Sequence, residues 1–297
     1  IKQSIKSLLF FLTFIGFTSI GIAQDTTGPT MVITAAEGLD GFSSKDATLS
    51  LTFTPSEVTD NFTEDDITVN NGVISDFSAP SNPYLSFDGN DDYVQVKREV
   101  QDDFTIQAWV KTETSFNTRT GSNFYSGNGI VYADYPGRGN DFGTSILNGK
   151  FAFGTGSLTG GDKTIQSTIS IDNNQWNHLV ATREKSTGII SVYVNGTLEE
   201  SLATGNNQSL TSQSILYIGA NKLDGRYFKG GLREVAVWTS LISSDGVAAL
   251  YNSGLPLNAL EDAGDYTSSS SLQGYWKFND GSGSTAADAS TSNNNGV

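Results

Sequence analysis

The chain has no cysteine, one histidine and one methionine among its 297 residues. Without thiols there is no disulfide framework, iron–sulfur cluster or thiol nucleophile, and one imidazole cannot build a zinc finger. Basic residues are also scarce: 17 Lys+Arg face 32 Asp+Glu, a formal net charge of −15. A surface of that sign cannot neutralise phosphates broadly, which makes nucleic acid and anionic lipid poor partners. Charged residues make up only 16%, and Ser, Thr, Asn and Gly fill the difference, the composition of a turn-rich β protein. What remains for a metal is oxygen, from Asp, Asn and backbone carbonyls, a set that suits Ca2+.

Residues 1–23 read as an export signal: Lys2 and Lys6, an apolar run from Leu8 to Ile22, and small residues at Gly21 and Ala23, with cleavage expected after Ala23. The run is shorter than the roughly 20 residues of a spanning helix, and no second one follows, so no membrane insertion is expected after cleavage. Export without cysteine points to a bacterial product that is secreted or held at the cell surface. The chain starts at Ile1 and stops inside a motif at Val297, and is read as a piece of a larger multi-domain protein.

Between residues 24 and 80, TMVIT, ATLSLTF, ITVN and GVISDF alternate apolar and polar residues around Asn, Asp and Gly, which predicts four short half-buried strands. The segments DTTGPT at Asp25, LTFTPSE at Leu51 and DITVNNG at Asp66 resemble a bacterial Ig-like domain, here incomplete because SAPSNP (Ser78 to Pro83) leads into a different pattern.

From Tyr84 onward eleven strands are predicted, from YLSF and DYVQV through FTIQAWV, GIVYA, FGTSI, KFAFG, TIQSTIS, WNHLVATR, GIISVYV and SILYIG to LREVAVW. One short helix is expected at Ser244 to Asn252, with Ser243 or Ser244 as N-cap. That is a large antiparallel all-β sandwich. The motifs LSFDGNDDYVQV, FTIQAWVK, LNGKFAFGTG with QWNHLVATRE, STGIISVYVNGTLE, LYIGA and FKGGLREVAVWTSLIS, in that order, resemble the laminin-G-like, concanavalin A-like jelly roll of the bacterial secreted type. The resemblance covers about residues 84–260 and implies a secreted binding module, often with a structural Ca2+. The sequence departs from it at Arg233, where the family usually has Asp. Residues 261–297 hold a linker and LQGYWKF, which either closes this jelly roll or opens a second copy.

Candidate metal ligands are Asp88, in the FDGN turn, and Asp288 with Asn294, whose loop resembles the family's D-x-S-G-N-x-N-x-G cage, with Glu234 as a further contributor. Asp88, Asn90, Asp92 and Glu99 have EF-hand spacing, but Tyr93 stands where that loop needs glycine and begins a strand, so a β-turn is expected there. Candidate ligand-binding residues lie in two loops dense in Asn, Asp and aromatics, namely Tyr135, Asn140 and Asp141, and Asn221, Asp224 and Tyr227. The strand order around these loops is similar to that of pentraxins, which implies Ca2+-dependent ligand binding there, while the tyrosines offer flat faces for sugar rings. No E-x-D-x-x-E pair of the jelly-roll glycosidases occurs, Glu64-Asp65-Asp66 being a partial echo, and His178 is placed mid-strand in a packing role. The expectation is a non-catalytic, Ca2+-stabilised module for a polysaccharide or a cell-surface glycan or protein. An accessory domain of a polysaccharide-degrading hydrolase or lyase, or an adhesin spacer, is the alternative.

Overall fold

Alternation along FTIQAWVKT sends Phe104, Ile106, Ala108 and Val110 to one face and Thr105, Gln107 and Trp109 to the other. In the computed structural model this strand is buried on both faces, which requires a covering layer on each side. The structure describes residues 30–36, 38, 48–55, 64–70, 73–75, 83–113, 119–137 and 139–297. They fall in two units, Ile1–Pro80 and Ser81–Val297. The leader expected at residues 1–23 lies outside the described residues. Among the described residues, no helix is long and apolar enough to cross a membrane.

In the first unit, β1 (Met31–Ala35) and β2 (Leu51–Pro55) pair antiparallel with Ile33 opposite Phe53. The ITVN strand does not form: Glu64–Asp66 is a 3-10 turn whose Glu64 carbonyl accepts from the Ile67 N–H at 3.1 Å, and residues 67–70 join no ladder. Residues 73–75 of the expected GVISDF strand are also not a strand, and Val73 is 92% exposed. Alternation alone does not hold a strand that finds no partner to bury its apolar side. The remainder of that segment lies outside the described residues.

The second unit is built from β3 (Leu85–Asp88), β4 (Val94–Lys97), β5 (Phe104–Thr112), β6 (Asn128–Ala133), β7 (Phe142–Leu147), β8 (Lys150–Thr155), β9 (Lys163–Gln166) and β10 (Trp176–Glu184). Then follow β11 (Ile189–Val194), β12 (Thr197–Ala203), β13 (Ile215–Ile218), β14 (Ala220–Asn221), β15 (Arg226–Tyr227), β16 (Lys229–Trp238), α1 (Ser244–Tyr251) and β17 (Leu272–Trp276). One sheet has the order β12-β11-β10-β5-β16-β17, with β3 also on β16, and the other β4-β13-β6-β7-β8-β9. Their facing sides share one core that includes Phe104, Ile106, Val110, Phe142, Phe153, Ile190, Val192 and Trp276. Edge strand β12 was not expected: TLEESLA is mostly exposed and carries no apolar alternation to betray it.

Both faces of the seven-stranded sheet are covered. Outside it, Val180, Tyr193, Ala236 and Trp238 pack under Val247 and Leu250 of α1 and under Ala259, Tyr266 and Tyr275. Ser243 caps α1 by accepting from the Gly246 N–H at 3.1 Å. On the same outer face Arg233 lies over the rings of Trp176 (4.3 Å) and Trp109 (5.5 Å), so the departure from aspartate makes a cation–π stack there. Glu234 follows in left-handed backbone, φ +50, at a bulge in the β16–β5 ladder. There β16 exchanges its partner β3 (Lys229 to Leu232) for β17 (Val235 to Trp238). The tail then engages the other sheet, since the backbones of Gln95 and Val297 exchange hydrogen bonds of 2.8 and 3.2 Å.

His178 is fully buried, its Nε2 2.9 Å from Gln107 Oε1, beside the rings of Trp109 and Tyr251. Burial without a charge partner lowers its pKa from 6.5 to about 3. The unfolded chain therefore takes up a proton that the folded chain refuses, and stability is lost as pH falls from about 6.5 toward 3. Urea unfolding midpoints across that range should fall more steeply for the wild type than for His178→Gln. Equal slopes would remove His178 as the cause.

Candidate functional site

The six-stranded sheet turns a different outer face to solvent. Tyr132 of β6 pairs with Gly143 of β7, which pairs with Gly154 of β8, and a Cβ on either glycine would collide with the ring of Tyr132 or Phe124. The two glycines thus let aromatic rings lie flat on the sheet. Phe124, Tyr132 and Tyr217 form a buried aromatic layer on it, with Tyr93, Tyr125 and Ile215 packed half-exposed around them. Lys222 Nζ sits 4.6 Å above the Tyr93 ring and 5.7 Å from that of Tyr227, whose hydroxyl accepts from it at 3.3 Å.

Two of the predicted ligand residues, Asn221 and Asp224, are joined at this face. Asn221 Nδ2 donates to Asp224 Oδ2 (2.9 Å) and to the Tyr125 carbonyl (3.2 Å), and Arg226 pairs with Asp224 at 3.2 Å. Tyr227 follows on β15. The other loop reaches the same outer face from the opposite end of β6: Asp134 lies within electrostatic reach of Asp224, and Tyr135, 40% exposed, donates its N–H to Asp141 Oδ2 at 3.5 Å. Asn140, with φ +61, turns the chain into β7. The six predicted residues therefore divide between the two ends of β6, Asn221 and Tyr227 packing at Asn128 and Gly129 while Tyr135, Asn140 and Asp141 lie beyond Ala133, and the first end adds Tyr93, Tyr125 and Lys222. Sequence reading placed Tyr93 and Tyr217 as strand residues, and only the register shows that their outward faces share a row.

Asp134 and Asp141 are 7% and 1% exposed, and their carboxyl groups lie within hydrogen-bonding reach of each other. Burial raises both pKa values, and for Asp141 the adjoining Asp134 carboxyl raises it further, so the pair holds one proton well above the ordinary carboxylate range. That contact is far shorter than the roughly 5 Å between the two carboxyls of a retaining glycosidase, and it is buried. Raised folded-state pKa values mean stability that is complete below the unfolded carboxylate pKa and lost as pH rises through the folded values. In chelator, Asp141→Asn should therefore flatten the decline of melting temperature between pH 5 and pH 9. An unchanged decline would contradict the assignment.

The four predicted metal ligands do not converge. Among the described residues, three carboxylates bring oxygens within 4.8 Å of one another only at Asp88, Asp91 and Asp92. That cluster is exposed, and Asp88 already accepts from the Asn90 N–H (2.7 Å) and Asn90 Nδ2 (3.0 Å), bonds that lower its pKa. Glu234 accepts from the Tyr275 hydroxyl, and burial raises its pKa. Asp288 accepts from the N–H groups of Tyr275, Ser290 and Asn294 and from the Ser290 hydroxyl, all at 2.8–2.9 Å. Asn294 meets Lys97 through both backbone groups, at 3.0 and 2.8 Å, while its own carbonyl accepts from Trp276 Nε1 at 3.0 Å. The cage loop is filled by the chain's own donors, so Asp288→Ala should cost about 2–4 kcal/mol. Denaturation with Ca2+ and with chelator checks this, and the loss should be the same in both.

The family model of the concanavalin A-like lectin/glucanases superfamily matches residues 88–248. The chain belongs to that superfamily. No curated protein matches it in sequence. Among solved structures, a candidate carbohydrate-binding protein from Bacteroides ovatus superposes with TM-score 0.50 at 20% identity, over 72% of this chain and 58% of that one. A SAP-like pentraxin from Limulus polyphemus gives 0.42 at 17% identity, over 58% of this chain and 84% of its own. The botulinum neurotoxin serotype D ligand-binding domain in complex with N-acetylneuraminic acid gives 0.45 at 14%, over 58% and 42%. The superfamily chain thus spans little more than half of the Bacteroides protein's length, and the likeness is one of fold.

Proposed function

We propose that this chain is a non-catalytic carbohydrate-binding module, and that its site is the tyrosine-lined end of the six-stranded sheet. The carrying observation is the arrangement of Tyr93, Tyr125 and Tyr227 around Lys222, beside Asp224 and Arg226. Sugar rings present apolar C–H faces and hydroxyl edges, and half-exposed aromatic faces flanked by charged and amide groups meet both. The name of the Bacteroides structure and the lectin-type fold agree with this reading. A binding role is favoured over catalysis because the buried Asp134–Asp141 contact and the enclosed His178 offer no spaced, accessible acid and base. The apolar leader between two lysines and Ala23 supports export, and the module serves within a larger exported protein that meets polysaccharide or cell-surface glycan.

A few aromatic side chains should dominate affinity. Screening the full chain against a polysaccharide panel should give binding that Tyr93→Ala and Tyr227→Ala each weaken at least tenfold, with melting temperatures within a few degrees of wild type. Binding that survives both substitutions would move the site elsewhere. Failure to bind any glycan would leave the adhesin-spacer reading in its place.

A further inference from the structure

The outer face of the six-stranded sheet is filled unevenly. Over β6, β7 and β8 the rings of Phe124 and Tyr132 are buried, and the loop carrying Tyr227 is tied down where Asn128 Nδ2 donates to the Tyr227 carbonyl. Over β13 and β4 the face opens into a groove of about 630 Å3, whose lining includes Gln95, Lys97, Ser214, Ile215, Asn295 and Val297.

Strand alternation puts the groove there. Val94 and Val96 of β4 face the core, so Gln95 and Lys97 face outward, and the antiparallel register sets Tyr217 opposite Gln95 and Ile215 opposite Lys97. Tyr93, just before β4, meets the Tyr217 ring edge-on with centroids 5.8 Å apart, and Ile215 packs against the same aromatic layer. The far wall is the tail. Gln95 and Val297 exchange backbone hydrogen bonds, and Gly296 faces inward, where a Cβ would strike Val94, which leaves Val297 outward and 70% exposed. The groove therefore starts at Tyr93, under Lys222 Nζ, and follows the strand to Lys97. Four residues of extended chain, at about 3.3 Å each, make that roughly 13 Å.

The backbone of β4 narrows what can lie in it. Its hydrogen-bonding edge is already taken, by Val297 at Gln95 and by the Asn294 side chain, which accepts from the Lys97 N–H at 3.0 Å and donates to the Lys97 carbonyl at 2.8 Å. A peptide strand cannot add to an edge so occupied. The groove offers side chains instead, with amide, ammonium and hydroxyl groups at Gln95, Lys97 and Ser214 set beside apolar Ile215 and Val297. That mixture suits a polymer that repeats hydroxyl edges and C–H faces along its length.

We propose that the site takes an internal stretch of a linear polysaccharide, laid along β4 with one sugar at the tyrosines around Lys222 and the following sugars in the groove as far as Lys97. This rests on the carbohydrate-binding reading above and adds the class of ligand, a chain held along its length and not by its terminal sugar.

The test is calorimetric titration of the full chain with cello-, xylo-, laminari-, manno- and galacturono-oligosaccharides, each as disaccharide and as hexasaccharide. In the series that binds, the hexasaccharide should bind at least about tenfold tighter, the gain from one or two added hydrogen bonds. Gln95→Ala and Lys97→Ala should each weaken the hexasaccharide about fivefold and leave the disaccharide unchanged, whereas Tyr93→Ala should weaken both. Melting curves control for folding, and should Gln95→Ala lower the melting temperature, Lys97→Ala decides, because that side chain is 71% exposed. Equal affinity for the two lengths, or hexasaccharide binding that both groove substitutions leave intact, overturns the proposal while the tyrosine site stands. Groove substitutions that act while Tyr93→Ala does not would instead remove the tyrosines from the site. Absence of binding in every series overturns both.

Discussion

The register of one strand, β7, governs the functional end of the molecule. Phe142 and Ile146 point into the core at 0% exposure, with Phe142 4.7 Å from Phe104 across the sandwich. That anchoring forces Asp141 and Gly143 outward, and a one-residue slip would exchange a buried phenylalanine for a buried carboxylate. Two consequences follow from the same choice. Gly143 gives Tyr132 a flat bed, which starts the aromatic layer, and Asp141 is brought against Asp134, which creates the buried carboxyl pair.

The two sheets divide their labour through what covers them. The seven-stranded sheet is closed on its outer side by α1, by the 259–275 segment, and by the stack of Trp109, His178, Tyr251 and Arg233. It is a stabilising wall, held by stacked rings and by the Gln107–His178 contact. The six-stranded sheet is covered outside by the 124–126 turn and the 221–227 loop over buried Phe124, Tyr132 and Tyr217, and half-exposed Tyr93, Tyr125 and Tyr227 rim that cover. Between them runs Arg183, 1% exposed, whose guanidinium donates to the carbonyls of Asp102, Asn206 and Gln208 at 2.5–3.0 Å. Asn206 in turn donates to the Gly156 carbonyl at 2.7 Å, so the core of one sheet steadies the end of β8 beside Asp141 in the other.

Much of this was legible in the chain. Period-two alternation located the core strands, and the motif order FDG, QAWV, NGKFAFG and LREVAVW pointed to the family that the 88–248 match shows. The loops around Asp141 and Asp224 stand out between strands because they are rich in Asn, Asp and Tyr, and the pentraxin-like strand order points to the same places. Pairing was not legible. Asp134 and Asp141 face each other only because the β6–β7 pairing runs on past Ala133 and Phe142, and Tyr93, Tyr125 and Tyr217 come together from three segments. The loop at Asp288 gains partners that its local pattern does not announce. Its local pattern is that of an oxygen cage, but the backbone of Tyr275 and Asn294, distant or folded back, fills it.

The central claim is that ligand meets the half-exposed tyrosines around Lys222 on the outer side of the six-stranded sheet. Hydrogen exchange on the full chain, with and without a polysaccharide to which it binds, tests it most directly. The account predicts added protection in residues 123–135 and 217–228, with the β10–β12 strands unchanged. Protection confined to β10–β12 or to the Asp88 turn would contradict it.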